Sequence, residues 1–198
     1  MITVRVVHLS DPVTVLVDVV AWGLVHAGAG YLAHRVPVRW LARDRWLFRE
    51  RRFERGGRLY GRTLRIGRWK DRLPEAGALF AGGISKRHVT GASDGGLERF
   101  VVETRRAELA HWLAAAPAPL FALWNPPAVV PVMVLYGLLV NAPFVAVQRY
   151  NRIRASRVLT ARAARRARGS RDNGSRSRSG PGAAWSRRER DTSGSSMP

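Results

Sequence analysis

The chain has 198 residues, a formal net charge of +20 and no cysteine. The lack of cysteine excludes disulfides, thiolate metal sites and a cysteine nucleophile. A positive charge of this size attracts nucleic acid, anionic lipid headgroups or a phosphate-bearing cosubstrate, and composition alone does not choose among them. Because the apolar residues are concentrated in two regions, 13–33 and 110–147, the pattern predicts membrane segments joined by basic aqueous ones.

The first apolar stretch, residues 12–33, is predicted to span a membrane. As a helix it would extend about 33 Å, at about 1.5 Å per residue, which is enough for the hydrocarbon core. A signal peptide is the alternative, because Arg5 precedes the stretch and "AGA" at 27–29 resembles a cleavage site. Asp11 and Asp18 fit a signal peptide poorly. Membrane spanning is therefore the favoured interpretation.

Asp18, Trp22 and His26 recur every four residues inside this predicted span. Their spacing places them on one stripe of a helix. An aspartate at mid-membrane costs roughly 2.5 to 3.5 kcal/mol unless it faces protein, so the stripe is predicted to pack against another helix or to face a substrate. The sequence leaves both roles open.

The second apolar region is predicted to be a helical hairpin. The turn signal "NPP" at 125–127 divides it into arms at 110–124 and 128–147. The first arm is short and contains Pro117 and Pro119, so a tilted, a broken and a re-entrant arm all remain open. With residues 12–33, the predicted topology is three spans in the cell membrane.

Clusters of arginine orient the predicted spans. They follow the first span and flank both ends of the hairpin, at Arg35, Arg39, Arg43, Arg45, Arg99, Arg105, Arg106, Arg149, Arg152, Arg154 and Arg157. Because positive loops favour the cytoplasmic side, the N-terminus is predicted outside and the C-terminus in the cytoplasm.

Two basic segments lie outside the predicted spans. In residues 34–109, the partly amphipathic "WLARDRWLF" at 40–48 is typical of a segment at the lipid headgroup level. Residues 156–198 are rich in Arg, Ala, Ser and Gly, which predicts a short basic helix that gives way to disorder near Gly169. The predicted domains are a mainly α-helical membrane domain at 1–155 and this tail.

The stretch between Leu97 and Trp112 has helical periodicity. One face comprises Leu97, Phe100, Val101, Thr104 and Ala107, together with Glu108 and His111, and the solvent side comprises Arg99, Glu103 and Arg106. A glutamate three residues before a histidine can hydrogen-bond the ring, and a histidine held by a carboxylate is a common general base. Alternatively, His111 and Trp112 are interfacial anchors and Glu108 pairs with a nearby arginine.

The other sequence signatures are weaker evidence for function. His88, in "SKRHV", is by itself typical of a surface histidine. "GASDG" at 91–95 has the letters of a nucleophile elbow, but no apolar strand precedes it. Neither a metal-ligand spacing nor a dinucleotide fingerprint is present, so no metal and no bound cofactor are predicted.

Three polar strings resemble those of a known family. "GRWKDRLPE" (67–75), "ETRRAELAHW" (103–112) and "NAPFVAVQRYNRIR" (141–154) are similar, in content and order, to the glycosyl-4,4'-diaponeurosporenoate acyltransferases of carotenoid biosynthesis. The resemblance implies transfer of a fatty acyl group from a thioester, acyl-CoA, to a sugar hydroxyl of a lipid-soluble glycosylated acceptor. It covers roughly residues 20–155, so the tail is expected to be dispensable for acyl transfer.

Acyl transfer requires a base, oxyanion donors and a grip on the donor's phosphates, and the matched strings offer candidates for each. His111 oriented by Glu108 is the predicted base, with His88 as the alternative. The phosphate or oxyanion candidates are Lys70, Arg106, Arg149 and Arg152. Trp69, Trp112 and Tyr150 are predicted to line the sugar or acyl site, and Asn141 or Asn151 to orient the carbonyl.

Two other functions compete with acyl transfer. A non-catalytic membrane protein could use its basic faces to bind anionic lipid or a partner complex. Nucleic-acid binding by the arginines of the tail is the weaker competitor, and nucleic acid is not the expected partner.

Overall fold

The computed structural model describes residues 6–70 and 93–178, and this part of the chain is mainly α-helical with no strand. Its helices are α1 (Asp11–Arg35), α2 (Val38–Leu41), α3 (Ile66–Trp69), α4 (Asp94–Ala115) and α5 (Val130–Arg178). Short 3₁₀ segments occupy Arg52–Glu54 and Ala118–Leu123, and a π-helical turn occupies Leu59–Thr63. The predicted mainly α-helical class is confirmed.

Two helices among the described residues, α1 and the Val130–Arg171 part of α5, are long and apolar enough to cross a membrane. Helix α1 contains the predicted span 12–33, and α5 contains all but the first two residues of the predicted span 128–147. Helix α1 begins with Pro12 in its first turn and ends just before Pro37, where Val36 is extended, as expected of a residue that precedes proline. The structure is therefore that of a small helical protein with two candidate membrane helices.

The predicted third span at 110–124 is not a continuous helix. Helix α4 ends at Ala115, and the chain continues through Pro117 into the 3₁₀ segment Ala118–Leu123. Proline has no N–H to donate and its ring obstructs the preceding turn, so the prolines at 117 and 119 interrupt the α-helix. Of the three forms that the sequence left open, the broken one is present, and the three-span count is not confirmed.

Helix α4 begins at Asp94, three residues before the predicted start at Leu97. Ser93 precedes it, and the Ser93 hydroxyl accepts a hydrogen bond of 3.2 Å from the Gly96 N–H. This contact satisfies one of the backbone donors that a helix N-terminus leaves without a partner.

The stripe on α1 packs against the segment between α4 and α5. The Trp22 ring stacks on Phe121 with a centroid separation of 4.7 Å. A Cβ atom at Gly137 would lie only 2.8 Å from the Trp22 ring, so α5 can approach Trp22 because residue 137 has no side chain. One Asp18 carboxylate oxygen accepts hydrogen bonds from Trp124 Nε1 (2.7 Å) and Asn125 Nδ2 (2.8 Å). Packing is therefore the role that the structure shows for this stripe.

The chain divides into two compact units, Met1–Ser156 and Arg157–Pro198. In the second unit the backbone of α5 remains helical as far as Arg178, whereas the sequence placed the end of the helix near Gly169. The run "ARAARRAR" at 161–168 consists of two of the strongest helix-forming residues, and a single glycine lowers helix stability by only about 1 kcal/mol. The predicted end near Gly169 was therefore wrong.

Candidate active site

Two arginines of α5 hold the Glu108 carboxylate of α4. Arg149 Nε lies 2.7 Å from one carboxylate oxygen and an Arg152 terminal nitrogen lies 2.5 Å from the other. The Trp112 indole N–H also donates to Glu108, at 3.3 Å. Glu108 is 0% exposed, and a carboxylate is stable in such a place only when it is paired and hydrogen-bonded.

A second buried carboxylate completes this cluster. Glu54 is also 0% exposed, and it accepts a hydrogen bond of 2.9 Å from Arg149 and others from the Tyr60 hydroxyl and the Arg51 backbone N–H. Burial raises the pKa of Glu54, but these hydrogen bonds outweigh burial and leave the pKa below its ordinary value. Two carboxylates thus balance two guanidinium groups, and we call Glu54, Glu108, Arg149 and Arg152 the ion-pair network.

Tyr60 is held in its neutral form by the same surroundings. Burial and the adjacent Glu54 carboxylate both raise the pKa of the Tyr60 hydroxyl. The protonated hydroxyl is therefore available as a donor to Glu54.

Arginines also hold the backbone of the segment that follows α1. Arg149 donates to the Leu47 carbonyl (2.6 Å), and Arg152 donates to the Phe48 carbonyl (3.0 Å). Arg105 contacts the same segment farther upstream, where it donates to the carbonyls of residues 41 and 42 at 2.9 and 2.8 Å. Together with the ion pairs, these contacts commit three of the five N–H donors of Arg149 and two of the five of Arg152 to protein groups.

The helical position of Arg106 predicted a side chain on the solvent side of α4, but the structure shows this side chain largely buried. Its side chain is 16% exposed and donates to the carbonyls of Ala33, His34 and Val36 at 2.8 to 3.0 Å. The last carbonyls of a helix have no intrahelical donor and carry partial negative charge, so they attract a cation. The long arginine side chain reaches the end of α1 from a backbone position that faces away from the core.

His111 is held by an asparagine of α5. Its Nδ1 lies 3.0 Å from Asn141 Oδ1, and the Asn141 amide group donates to the Gly137 carbonyl at 2.9 Å. The second contact sets the amide orientation, so the oxygen faces the ring and Nδ1 is the nitrogen that carries hydrogen. Phe144 stacks on the imidazole at a centroid distance of 4.6 Å. We call His111, Asn141 and Phe144 the imidazole group; in its neutral form the ring presents a basic Nε2.

The helical face predicted from periodicity is confirmed. Leu97, Phe100, Val101, Thr104 and Glu108 are buried, and His111 is half-buried. The alternative that Glu108 pairs with a nearby arginine is what the structure shows. A hydrogen bond between Glu108 and His111 stays a prediction.

The remaining predicted site residues lie elsewhere. Trp69 and Tyr150 pack around a cluster of Tyr60, Ile66, Val147 and Ile153. Lys70 is half-buried, and the Asn151 amide nitrogen is buried with no hydrogen-bond partner among the described residues. His88 lies outside the described residues. The sugar, acyl and phosphate roles assigned to these residues stay predictions.

The sequence did not reveal Glu54 as a member of the ion-pair network, Tyr60 as its hydrogen-bond donor, or Phe144 as the ring that stacks on His111. Glu54 lies within the arginine-rich run "RERRFER" at 49–55, where an acid is easily taken for part of a solvated charged surface. In the part of the chain that the structure describes, no group of three metal-ligating side chains occurs.

Together, two apolar helices, a buried ion-pair network and an oriented histidine define a small helical protein of membrane type that contains a candidate general base. The chain belongs to the glycosyl-4,4'-diaponeurosporenoate acyltransferase family, whose model matches residues 44–161. That interval contains both the ion-pair network and the imidazole group. The predicted membership, and with it the class of acyltransferase, is confirmed.

Relatives that carry this family name occur in Staphylococcus aureus. The glycosyl-4,4'-diaponeurosporenoate acyltransferases of strains bovine RF122 / ET3-1 and MRSA252 are each 29% identical to the chain over 138 residues. Each alignment covers 70% of this chain and 83% of the relative. No solved structure shows a significant match to the chain.

Proposed function

We propose that this protein transfers a fatty acyl group from acyl-CoA to a sugar hydroxyl of a glycosylated carotenoid or a similar lipid-soluble glycoside. The name of the relatives supports a glycosylated carotenoid acceptor. The observation that carries the proposal is the geometry of His111, whose ring is oriented through Nδ1 by Asn141. An oriented neutral imidazole at the end of apolar helices suits deprotonation of a hydroxyl group.

In the proposed reaction, Nε2 of His111 accepts the proton of the sugar hydroxyl while the hydroxyl oxygen attacks the carbonyl carbon of the thioester. The carbon–sulfur bond then breaks, and the imidazolium returns the proton to the thiolate that leaves. The products are the acylated sugar and free coenzyme A, so one ester bond forms as one thioester bond breaks. Asn141 holds the tautomer throughout, as the partner of the base does in other acyl-transfer sites.

The proposed reaction occurs at the cytoplasmic boundary of the membrane. His111 lies one helical turn from Glu108 along α4, on the apolar side of the ion-pair network, and Arg149 and Arg152 follow the apolar part of α5. An acceptor dissolved in the bilayer and a water-soluble donor can meet at such a level. The protein is accordingly proposed to be multi-pass, with a cytoplasmic C-terminus.

Replacement of the base tests the proposal. With purified protein, acyl-CoA and a glycosylated carotenoid, His111→Ala should lower the rate of ester formation by about 10² to 10⁴, the usual contribution of a general base. His26→Ala is the matched control, because His26 is also a histidine within a helix but its Nδ1 contacts the Trp22 backbone carbonyl, at 2.9 Å, rather than a side chain of another helix. Mass spectrometry of the acylated product gives the rate.

Retained activity in His111→Ala would remove His111 from the reaction. If His88→Ala abolished transfer instead, His88 would be the base. If the protein formed the ester from another acyl thioester but not from acyl-CoA, acyl-CoA would be the wrong donor, and the proposed base and acceptor would stand.

A further inference from the structure

A short segment is fastened to α4 and α5 by three arginines and exposes a separate surface. This segment, residues 41–54, we call the strap. Arg105 holds it at the Leu41 carbonyl, Arg152 at the Phe48 carbonyl and Arg149 at the Glu54 side chain. Leu41, Phe48 and Glu54 are at most 1% exposed, so the inner side of the strap belongs to the core.

The outer side of the strap exposes aromatic rings. Trp46 is 75% exposed and Phe53 is 64% exposed. The Arg51 guanidinium lies 4.8 Å from the Trp46 ring centre and donates to the Trp46 carbonyl at 2.9 Å. Tryptophan among arginines is typical of the bilayer interface, where the ring enters the headgroup region and the cation contacts phosphate.

Among the described residues, the charge on this outer side is positive and largely unmatched by acids. Arg43, Arg45, Arg49 and Arg52 are exposed. Of the three acids in the strap, Glu54 is buried in the ion-pair network and Asp44 lies 3.3 Å from Arg105. Glu50 is the remaining acid, and it is exposed.

The strap lies beside the end of a candidate membrane helix. It begins six residues after the last residue of α1, and Arg106 of α4 holds the carbonyls at the end of α1. The arginines of α5 that hold the strap, Arg149 and Arg152, directly follow the apolar sequence at 130–147. The strap is therefore attached where the apolar sequence of α1 and of α5 gives way to basic sequence. A bilayer surface is the partner that this position and this charge fit.

We propose that the outer side of the strap docks on anionic lipid headgroups at the membrane surface, with Trp46 and Phe53 in the headgroup region and the exposed arginines on lipid phosphates. This docking is independent of acyl transfer, because it uses residues outside the imidazole group. In this proposal the two sets of arginines have different roles: those of the ion-pair network bind protein groups, and the exposed arginines of the strap bind lipid phosphates.

The absence of cysteine from the chain permits a test with a single fluorescent label. Glu50→Cys places the label within the strap and leaves its rings and arginines intact. Glu98→Cys is the matched control, because Glu98 is also exposed and lies on α4 about 10 Å before Arg105, at about 1.5 Å per residue. Both full-length proteins are inserted into nanodiscs of phosphatidylcholine, alone or mixed with phosphatidylglycerol, that contain a lipid spin-labelled at the headgroup.

In the anionic discs we expect quenching at residue 50 to exceed quenching at residue 98 by about twofold or more. It should fall in the zwitterionic discs, and also when Trp46→Ser and Phe53→Ser are added. Equal quenching at the two positions, or protection of residue 50 by RNA without quenching by lipid, would overturn the docking. Quenching that does not depend on phosphatidylglycerol would overturn the requirement for anionic lipid. No acyl substrate is present, so these results do not depend on the proposed reaction.

Discussion

The ion-pair network and the imidazole group are neighbouring polar regions of one helix pair, yet they are built differently. In the network, each carboxylate accepts several hydrogen bonds and each arginine also holds a backbone carbonyl. In the imidazole group, an uncharged amide contacts Nδ1 of a histidine ring. Balanced charges fasten elements together, whereas an oriented neutral base suits proton transfer. The two regions are therefore suited to different tasks.

The network also explains how the strap is held against α4 and α5. Opposite charges and additional hydrogen bonds offset the desolvation of the buried groups, but the loss of one partner leaves the others without compensation.

Glu108→Ala should have the largest effect, because it leaves Arg149 and Arg152 without their shared carboxylate. Removal of one partner from a buried ion pair lowers the free energy of unfolding by about 3 to 5 kcal/mol. Unfolding of the purified protein in detergent measures the loss. Glu103→Ala is the control: the pair of Glu103 with Arg106 lies nearer the surface and should contribute about 0 to 1 kcal/mol.

A Glu108→Ala protein that unfolds like the parent but no longer transfers acyl groups would contradict a purely structural role for the ion-pair network. Glu108 would then act on the imidazole, as the helical spacing first suggested.

Asn141→Ala should have a smaller effect, and the effect should be on the reaction rate rather than on the stability of the fold. Loss of the hydrogen bond that orients His111 should lower kcat about tenfold, equivalent to about 1.4 kcal/mol, with little change in KM. Steady-state kinetics with the two substrates separates these terms. An unchanged kcat would show that Asn141 does not position the base.

The smallest expected effect is on the pH dependence of stability, and it involves Glu54 of the ion-pair network. The pKa of Glu54 is below its ordinary value of 4.5, so the unfolded chain binds the proton more tightly than the folded protein. The stability that Glu54 contributes is therefore complete above pH 4.5 and is lost as the pH falls through the lower pKa of the folded state. In Glu54→Gln the decline in unfolding temperature with acid should be shallower. A decline equal to that of the parent would assign the acid sensitivity to other groups.

Sequence periodicity placed Glu108 and His111 correctly on the buried face of α4, because helix geometry is local and depends only on spacing. It failed for Arg106, since a long side chain can reach a helix end that spacing does not describe. The prolines at 117 and 119 indicated an irregular arm, but not which of three irregular forms it takes.

The sequence by itself determined the helical class, the family and the two apolar helices, because composition, order and period are written along the chain. The partners of the buried charges were decided only by tertiary structure. Arg149 meets Glu108 from 41 residues away and Glu54 from 95 residues away, and neither distance leaves a local pattern. A buried charge without a partner is costly, so Glu108 is paired with the arginines that the packing of the helices brings near it. His111 contacts Asn141 of α5, 30 residues away along the chain.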